Sequence, residues 1–174
     1  MRWLPDAARQ HARFRAGYSV HQRAMHWTIL LLCLIQVPTS WAIRRTHLAH
    51  PAAEPEPFDL FLHEVHAWSG WLILALALGQ LTLRLVFGRP TSHDDGSPLV
   101  RWGSVAAHWT LYGLLIALPI TGTVAMYVTF RVAPIHSLLS WALLVIVLIH
   151  VAAALWHHFY RRDDVLRRMI GGVR

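Results

Sequence analysis

Apolar positions along the chain gather into four long stretches that contain no charged residue. The stretches cover residues 24–43, 65–83, 102–130 and 132–160. Each reaches about 19 residues or more, which is the length that an α-helix needs to cross a bilayer. Because lipid offers no water to satisfy an open backbone, the pattern predicts four transmembrane helices.

Polar segments separate these stretches and limit how the helices are connected. Residues 50–57 read HPAAEPEP and residues 89–98 read RPTSHDDGSP, both typical of loops. The third connector, at 129–134, is so short that helices three and four should be antiparallel neighbours. The chain of 174 residues suits one domain. We therefore expect a single all-α domain, a transmembrane four-helix bundle over residues 1–174, with spans at about 18–43, 63–87, 102–129 and 134–160.

Composition excludes the soluble classes that a basic chain otherwise suggests. Hydrophobic residues make up 55% and charged residues 14%, which is too apolar for an ordinary soluble domain. The net charge of +7 comes from arginines that lie beside apolar runs instead of lining one polar face, which argues against a nucleic-acid partner. Membrane lipid is the partner that this composition predicts.

The distribution of arginine predicts the orientation of the bundle. Five arginines precede the first stretch, three lie around the second connector and five follow the last stretch, whereas the opposite side carries Arg44, Arg45 and Arg131. Positively charged residues mark the cytoplasmic ends of membrane helices. Both termini are therefore expected in the cytoplasm.

Four histidines fall within or at the end of the predicted spans. They are His26, His66, His136 and His150. An imidazole inside a bilayer is costly unless it is satisfied, so each is a functional candidate. The alternative for any one of them is a hydrogen bond to a neighbouring helix.

The spacing of these histidines sorts them into two pairs. His136 and His150 are 14 residues apart on the last span, which is two heptads, so both face the same seam of a left-handed bundle. Their rise of about 21 Å separates two sites, one towards each face of the membrane. The expected topology then brings His26 to the depth of His150 and His66 to the depth of His136.

Two opposed imidazoles are the ligands that clamp a haem from its two faces. A structural zinc ion instead binds four N or S ligands that lie close together, which two distant histidine pairs do not supply. Cys33 is the only cysteine, so no C-x-x-C-H attachment motif exists and any haem is held without thioether links. The pattern favours two non-covalent haems, with His26, His66, His136 and His150 as axial ligands of the iron.

Several neighbouring residues keep alternative interpretations open. His63 lies one helical turn before His66 and is a second candidate for that ligand. His108 lies near the depth of His26 and is a packing residue, a replacement ligand or a proton carrier at a quinone site, a role for which Glu64 is also a candidate. Arg84 ends the second span, where it either pairs with a haem propionate or extends to the membrane interface.

Arg44, Arg45 and Arg131 carry the positive charge of the side expected to be periplasmic. They either draw a small anion such as superoxide towards a haem on that side or simply mark the helix ends.

Longer segments resemble the bacterial cytochrome b561 family. The similar segments are YSVHQRAMHW at residues 18–27, HAWSG from residue 66, ALPITG at 117–122, the 14-residue gap between the last two histidines, and HVAAALWHHFYRRDDVLRRM at 150–169. Each segment alone is weak evidence for the family, but the order and spacing of the segments are specific to it. Together the segments cover about residues 18–169.

The resemblance implies a multi-pass protein of the bacterial inner membrane with two b haems, each held by two histidines. Carried over residue by residue, the ligands fall on His26, His66, His136 and His150. Family members exchange electrons between the quinone pool and a small anionic or protein donor, and in some the donor is superoxide and the acceptor ubiquinone. The expected function is therefore that of an electron-transfer cytochrome or a superoxide:quinone oxidoreductase, with a quinone as substrate.

Two other functions remain open at this point. A cytochrome b anchor subunit of a larger dehydrogenase or hydrogenase would have the same haems and take electrons from a partner. A metal or haem transporter or chaperone would hold an exchangeable cargo in place of a permanent cofactor.

Overall fold

The computed structural model describes residues 18–48, 56–88 and 98–171, and every regular element within those ranges is helical. The long helices are α1 (Val20–Leu48), α2 (Pro57–Phe87), α3 (Pro98–Tyr127) and α4 (Ala133–Trp156). A 3₁₀ turn at Phe130–Val132 precedes α4, and a π-helical turn at His157–Arg161 leads from α4 to the short helix α5 (Val165–Ile170). Within these ranges, four helical segments are long and apolar enough to cross a membrane, which confirms the predicted all-α class with four spans.

Parts of the predicted organisation lie outside the described residues. These parts are the N-terminal arginine-rich segment up to residue 17, most of the first two connectors (49–55 and 89–97) and residues 172–174. The third connector is described, and it is as short as the sequence predicted: α3 and α4 pack against each other across residues 128–132.

Local sequence signals explain where the helices begin and end. Ser19 and Gln22 form a capping box at the start of α1: the Ser19 N–H donates to Gln22 Oε1 at 3.0 Å and the Gln22 N–H donates to Ser19 Oγ at 3.1 Å. Helix α2 begins at Pro57, a position where the missing N–H costs nothing. It ends at Gly88, whose φ of 73° is a conformation that glycine adopts without strain.

The bundle is apolar outside and has only a thin buried core. Among the described residues the buried apolar side chains are Ala42, Ile73 and Ala77, whereas Trp68 is 71% exposed and Leu138 70% exposed. In water such a surface would drive association, but in a bilayer it faces lipid chains of equal polarity. The packing of α1 on α2, α2 on α3 and α3 on α4 therefore relies on small residues and polar contacts between helices.

Two prolines lie inside the helices without ending them. Helix α1 continues through Pro38 and helix α3 continues through Pro119. The hydroxyls that follow each proline bond back to the helix, with Thr39 Oγ1 donating to Ile35 O at 2.8 Å and Thr121 Oγ1 donating to Ala117 O at 2.8 Å. Both threonines lie at the candidate site described below.

Helix α5 folds back over the start of α1. After the π-helical turn, Arg162 has a left-handed conformation with φ of 56° and reverses the chain into α5. Trp27 Nε1 donates to the carbonyl oxygen of Met169 at 3.1 Å, and His157 Nδ1 lies 2.5 Å from Asp163 Oδ2. The beginning of α1 and the end of the chain consequently lie at the same end of the bundle.

Candidate functional site

His66 of α2 and His136 of α4 face each other across the bundle. Their ring centres are 6.5 Å apart and their planes are 69° apart. His66 lies on the third turn of α2 and His136 on the first turn of α4, so two helices that begin at the same end of the bundle bring them to the same depth. The sequence predicted that these two residues would be paired in space.

A hydroxyl group orients the His66 ring. Thr39 Oγ1 lies 3.1 Å from His66 Nδ1, and its single hydrogen is donated to Ile35 O at 2.8 Å. When the hydroxyl donates to Ile35 O it accepts a hydrogen bond from Nδ1–H, and the neutral ring then has its free electron pair on Nε2. Gln36 supports the same segment by donating to the His66 carbonyl oxygen at 3.0 Å and to Ser69 Oγ at 2.9 Å.

A carbonyl group orients the His136 ring in the same sense. His136 Nδ1 lies 3.0 Å from Leu118 O, and because a carbonyl oxygen only accepts, Nδ1 carries the hydrogen. Thr121 Oγ1 is a second neighbour of Nδ1 at 3.1 Å. The ring also lies close to the backbone of α3, since a Cβ atom added at Gly122 would be 3.1 Å from His136 Cε1.

His26 of α1 and His150 of α4 form the second pair, at the other end of α4. Their ring centres are 6.4 Å apart and their planes are 56° apart. No hydrogen-bond partner for either ring lies among the residues that the structure describes. His26 instead has an edge-on contact with the Trp27 ring, at 5.5 Å between centres.

A third imidazole accompanies the second pair. The ring of His108 on α3 is 5.4 Å from that of His150 at an interplanar angle of 86°. His108 Nδ1 lies 2.6 Å from Ser104 O, so Nδ1 carries a hydrogen, and in the neutral ring the free electron pair is on Nε2. The sequence placed His108 at this depth but did not establish its neighbours.

Arg84 lies near this end of the bundle against two aromatic rings. Its guanidinium carbon is 5.9 Å from the ring centre of Trp109 and 5.6 Å from that of Tyr112, within the range of cation–π contacts. A small cleft of about 20 Å³ lies beside it, lined by Tyr18, Gln22, Gln80, Arg84, Gly88 and Tyr112.

The positive charge near the His66–His136 end is smaller than the arginine count suggests. Arg45 makes a two-pronged ion pair with Asp59, from Nε to Oδ2 at 2.7 Å and from Nη2 to Oδ1 at 2.5 Å. This pair joins the end of α1 to the start of α2 and offsets the Arg45 charge. Glu64, a candidate proton carrier in the sequence, is exposed.

Sequence reasoning missed the polar residues around the rings. Thr39, Thr121 and Gln36 were not singled out, although Thr121 lies within the ALPITG segment. The sequence feature that could have indicated the two threonines is a threonine one or two residues after an intrahelical proline on each of two spans.

Within the described residues, no group of three or more His, Cys, Asp or Glu side chains is arranged to hold a metal ion.

The family described as prokaryotic cytochrome b561 matches residues 17–172, nearly the whole chain and all four long helices. The chain belongs to this family. Membership makes it a multi-pass bacterial membrane protein of electron transfer with haem b as cofactor, and confirms the resemblance on which the sequence argument relied.

Curated relatives cover almost the same length. The chain is 26% identical over 175 positions to the probable superoxide oxidase CybB of Yersinia pestis, with 88% of this chain and 95% of that protein covered. It is 28% identical over 181 positions to cytochrome b561 homolog 2 of Escherichia coli K12, with 88% of this chain and 91% of that protein covered. It is 28% identical over 157 positions to cytochrome b562 of Cereibacter sphaeroides, with 88% of this chain and 95% of that protein covered.

Proposed function

We propose that this cytochrome b561 holds two b haems in a single domain of residues 1–174 and passes electrons from a periplasmic donor to the quinone pool. One haem is held by His66 and His136, and the other by His26 and His150. The observation that carries the proposal is the presence of two histidine pairs with nearly equal separations, 6.5 and 6.4 Å between ring centres. They lie about 21 Å apart along α4.

The separation within each pair fits axial ligation of one iron. An imidazole nitrogen binds a transition metal at about 2.0 to 2.1 Å, and its ring centre lies about 1.1 Å farther away, so two opposed rings are about 6.3 Å apart. Both pairs are within a few tenths of an ångström of this value. The His108–His150 separation of 5.4 Å is shorter, and its edge-on geometry is that of an aromatic contact.

The orientation of the rings supports the same assignment at the first pair. A ligand histidine commonly donates Nδ1–H to a carbonyl or similar acceptor, which leaves Nε2 to bind the metal. His66 and His136 both have this arrangement, through Thr39 and Leu118. The 6.5 Å separation between the ring centres of His66 and His136 favours His66 as the ligand over His63, the other candidate on α2.

A bound haem would supply reversible one-electron transfer at its iron. The protein would set the reduction potential through the ligands, hydrogen bonds and burial. The residues of this chain provide two fixed positions at different depths and a surrounding surface of apolar side chains that excludes water. Reduction of a quinone to a quinol takes two electrons and two protons. If superoxide is the donor, two superoxide anions each give up one electron and leave as dioxygen.

The arginine distribution supports the direction of this transfer. The excess of arginine near the N-terminus, the second connector and the C-terminus favours an orientation with both termini in the cytoplasm and the His66–His136 pair near the periplasm of the inner membrane. Arg44 and Arg131 are exposed at that side, and the name of the Yersinia relative points to superoxide as donor. Arg45 contributes less to the attraction of an anion because Asp59 neutralises it.

The function is tested with the haem-loaded protein in ubiquinone-containing vesicles. Superoxide generated outside the vesicles is expected to reduce the quinone only when the protein is present, and superoxide dismutase should abolish the reaction. Arg44→Gln should slow the reaction more than Arg45→Gln at low salt, and the difference should shrink as salt rises. Haem-loaded protein that leaves the quinone oxidised would contradict the proposed donor and acceptor.

A further inference from the structure

Three consecutive residues of α1 contact three different helices. The Met25 side chain packs on Gly79 of α2, where an added Cβ atom would lie 2.6 Å from Met25 Cε. His26 faces the other histidine of its pair on α4. Trp27 Nε1 donates to the carbonyl oxygen of Met169 on α5 at 3.1 Å. Because successive residues of an α-helix project about 100° apart, these contacts together fix the rotation of α1 at His26.

The hydrogen bond of Trp27 ties two distant parts of the chain together. Trp27 is 37% exposed, and the N–H of a tryptophan near the end of a membrane span usually points to water or to lipid head groups. Here it is donated to Met169, the penultimate residue of α5. The last carbonyl groups of a helix have no partner within that helix. The bond therefore satisfies a carbonyl oxygen of α5 and holds the indole in one position.

Helix α5 is too short to keep its position unaided. It has six residues, Val165–Ile170, whereas isolated helices of fewer than about 12 residues are marginal in water. Contacts on both sides of α5 hold it in place. Before it, His157 Nδ1 lies 2.5 Å from Asp163 Oδ2, and at its end the Met169 carbonyl accepts from Trp27. Loss of the Trp27 bond should therefore loosen α5, and unwinding of α5 should release the indole.

The indole of Trp27 also contacts the ring of His26. Their ring centres are 5.5 Å apart and their planes are 85° apart, which is an edge-on aromatic contact. Adjacent side chains on a helix diverge, so this contact requires a particular rotamer of Trp27, and the bond to Met169 holds that rotamer. At a metal site a hydrogen bond to the ring usually sets the rotation of a ligand histidine. The described residues supply no such bond to His26, so the indole edge is the contact that orients it.

We propose that Trp27 is a positioning residue for His26: the hydrogen bond to Met169 fixes the indole, and the indole fixes the rotation of the imidazole. Helix α5 thereby acts on the second histidine pair without supplying a ligand. The inference rests on the proposed function, because it takes His26 as a haem ligand. It gives aromatic packing at this end of the bundle the role that hydrogen bonds have at His66 and His136.

The test compares two variants of the full-length, haem-loaded chain in detergent with the wild type. Trp27→Phe keeps an aromatic ring and removes the N–H donor. Met169→Pro unwinds the end of α5, because proline removes a backbone N–H and clashes with the preceding turn. Trp41→Phe is the matched control, since Trp41 is a 65% exposed tryptophan at the other end of the same helix.

Two readouts follow the two steps of the proposal. Trp27→Phe and Met169→Pro should both keep about two haems per chain and shift the electron paramagnetic resonance signal of the same haem, the one that His26→Ala loses. This signal depends on the angle between the two ligand planes, so a change in the rotation of His26 moves it. Hydrogen exchange of the α5 amides needs no haem, and Trp27→Phe should speed it about fivefold through the loss of one hydrogen bond. Trp41→Phe should change neither readout.

Failure of the inference and failure of the proposed function give different results. Wild-type signals for both haems in Trp27→Phe and Met169→Pro would overturn the inference and leave the proposed ligands intact. A shift in Trp27→Phe alone, or an equal shift in Trp41→Phe, would likewise overturn the role of α5. A His26→Ala variant that retains both haems would instead contradict the proposed ligands. Met169 lies beyond the four membrane spans, so Met169→Pro keeps the test available if Trp27→Phe does not fold.

Discussion

The two histidine pairs have nearly the same internal separation but very different surroundings. At His66–His136 both Nδ1 atoms are hydrogen-bonded, to Thr39 and to Leu118 with Thr121. At His26–His150 the described residues provide no hydrogen bond to either ring, and a third imidazole, that of His108, packs against His150. The two pairs therefore share a similar ring separation and differ in the hydrogen bonds that orient their rings.

A ring whose tautomer and rotation are set by hydrogen bonds gives a rigid ligand and a well-defined potential. The rings of His26 and His150 have no such bond among the described residues. We infer that the His66–His136 site is the more rigid end of the proposed relay.

Among substitutions outside the histidine pairs, the largest expected effect comes from filling the space beside His136. Gly122→Val places a Cβ 3.1 Å from His136 Cε1, with methyl groups beyond it, so the ring must move. Haem content should fall from about two to about one per chain while the helical signal is kept. Gly113→Val is the matched control, because a Cβ at Gly113 of the same helix meets nothing within 4 Å. Equal haem loss in both variants would contradict the close packing of Gly122 on His136.

A smaller effect is expected from removing the hydroxyls that orient the first pair. Thr39→Val leaves His66 Nδ1 without its acceptor, which lowers the basicity of the ligand and should raise the midpoint potential of one haem. The loss of one hydrogen bond corresponds to about 20 to 60 mV for a one-electron couple. Thr121→Val should shift the potential less, because His136 keeps its bond to Leu118 O. Redox titration of both variants checks the order, and a larger shift in Thr121→Val would contradict it.

The smallest expected effect comes from removing the third imidazole. His108→Ala should retain about two haems per chain, since its 5.4 Å contact with His150 is an edge-on packing contact. The electron paramagnetic resonance signal of one haem should shift slightly as the His150 ring loses its neighbour, while the other signal stays unchanged. Loss of a full haem would instead make His108, and not His26, the ligand opposite His150.

The sequence was sufficient to predict the parts of this structure that depend on hydropathy and helical period. Four uncharged stretches predicted four helices, and a 14-residue gap predicted that His136 and His150 would share one seam at different depths. The pairing of His66 with His136 followed from topology, because two helices that start at the same end bring equal positions together.

The sequence was insufficient wherever a contact depends on the rotation of one helix against another. Thr39 reaches His66 across 27 positions, and Thr121 reaches His136 across 15. Arg45 was counted as a free positive charge because nothing in the sequence showed that Asp59, beyond the first connector, would face it. The cleft of Gln80, Arg84 and Tyr112 likewise exists only once α2 and α3 are packed together.

The measurement that tests the account most directly is the haem content of two double variants. Removing both members of one pair, in His26→Ala with His150→Ala, should leave about one haem per chain, because the other pair is untouched. Removing one member of each pair, in His26→Ala with His66→Ala, should leave almost none. His63→Ala, one turn from His66, should retain both haems. Equal haem content in the two double variants would contradict the division into two separate sites.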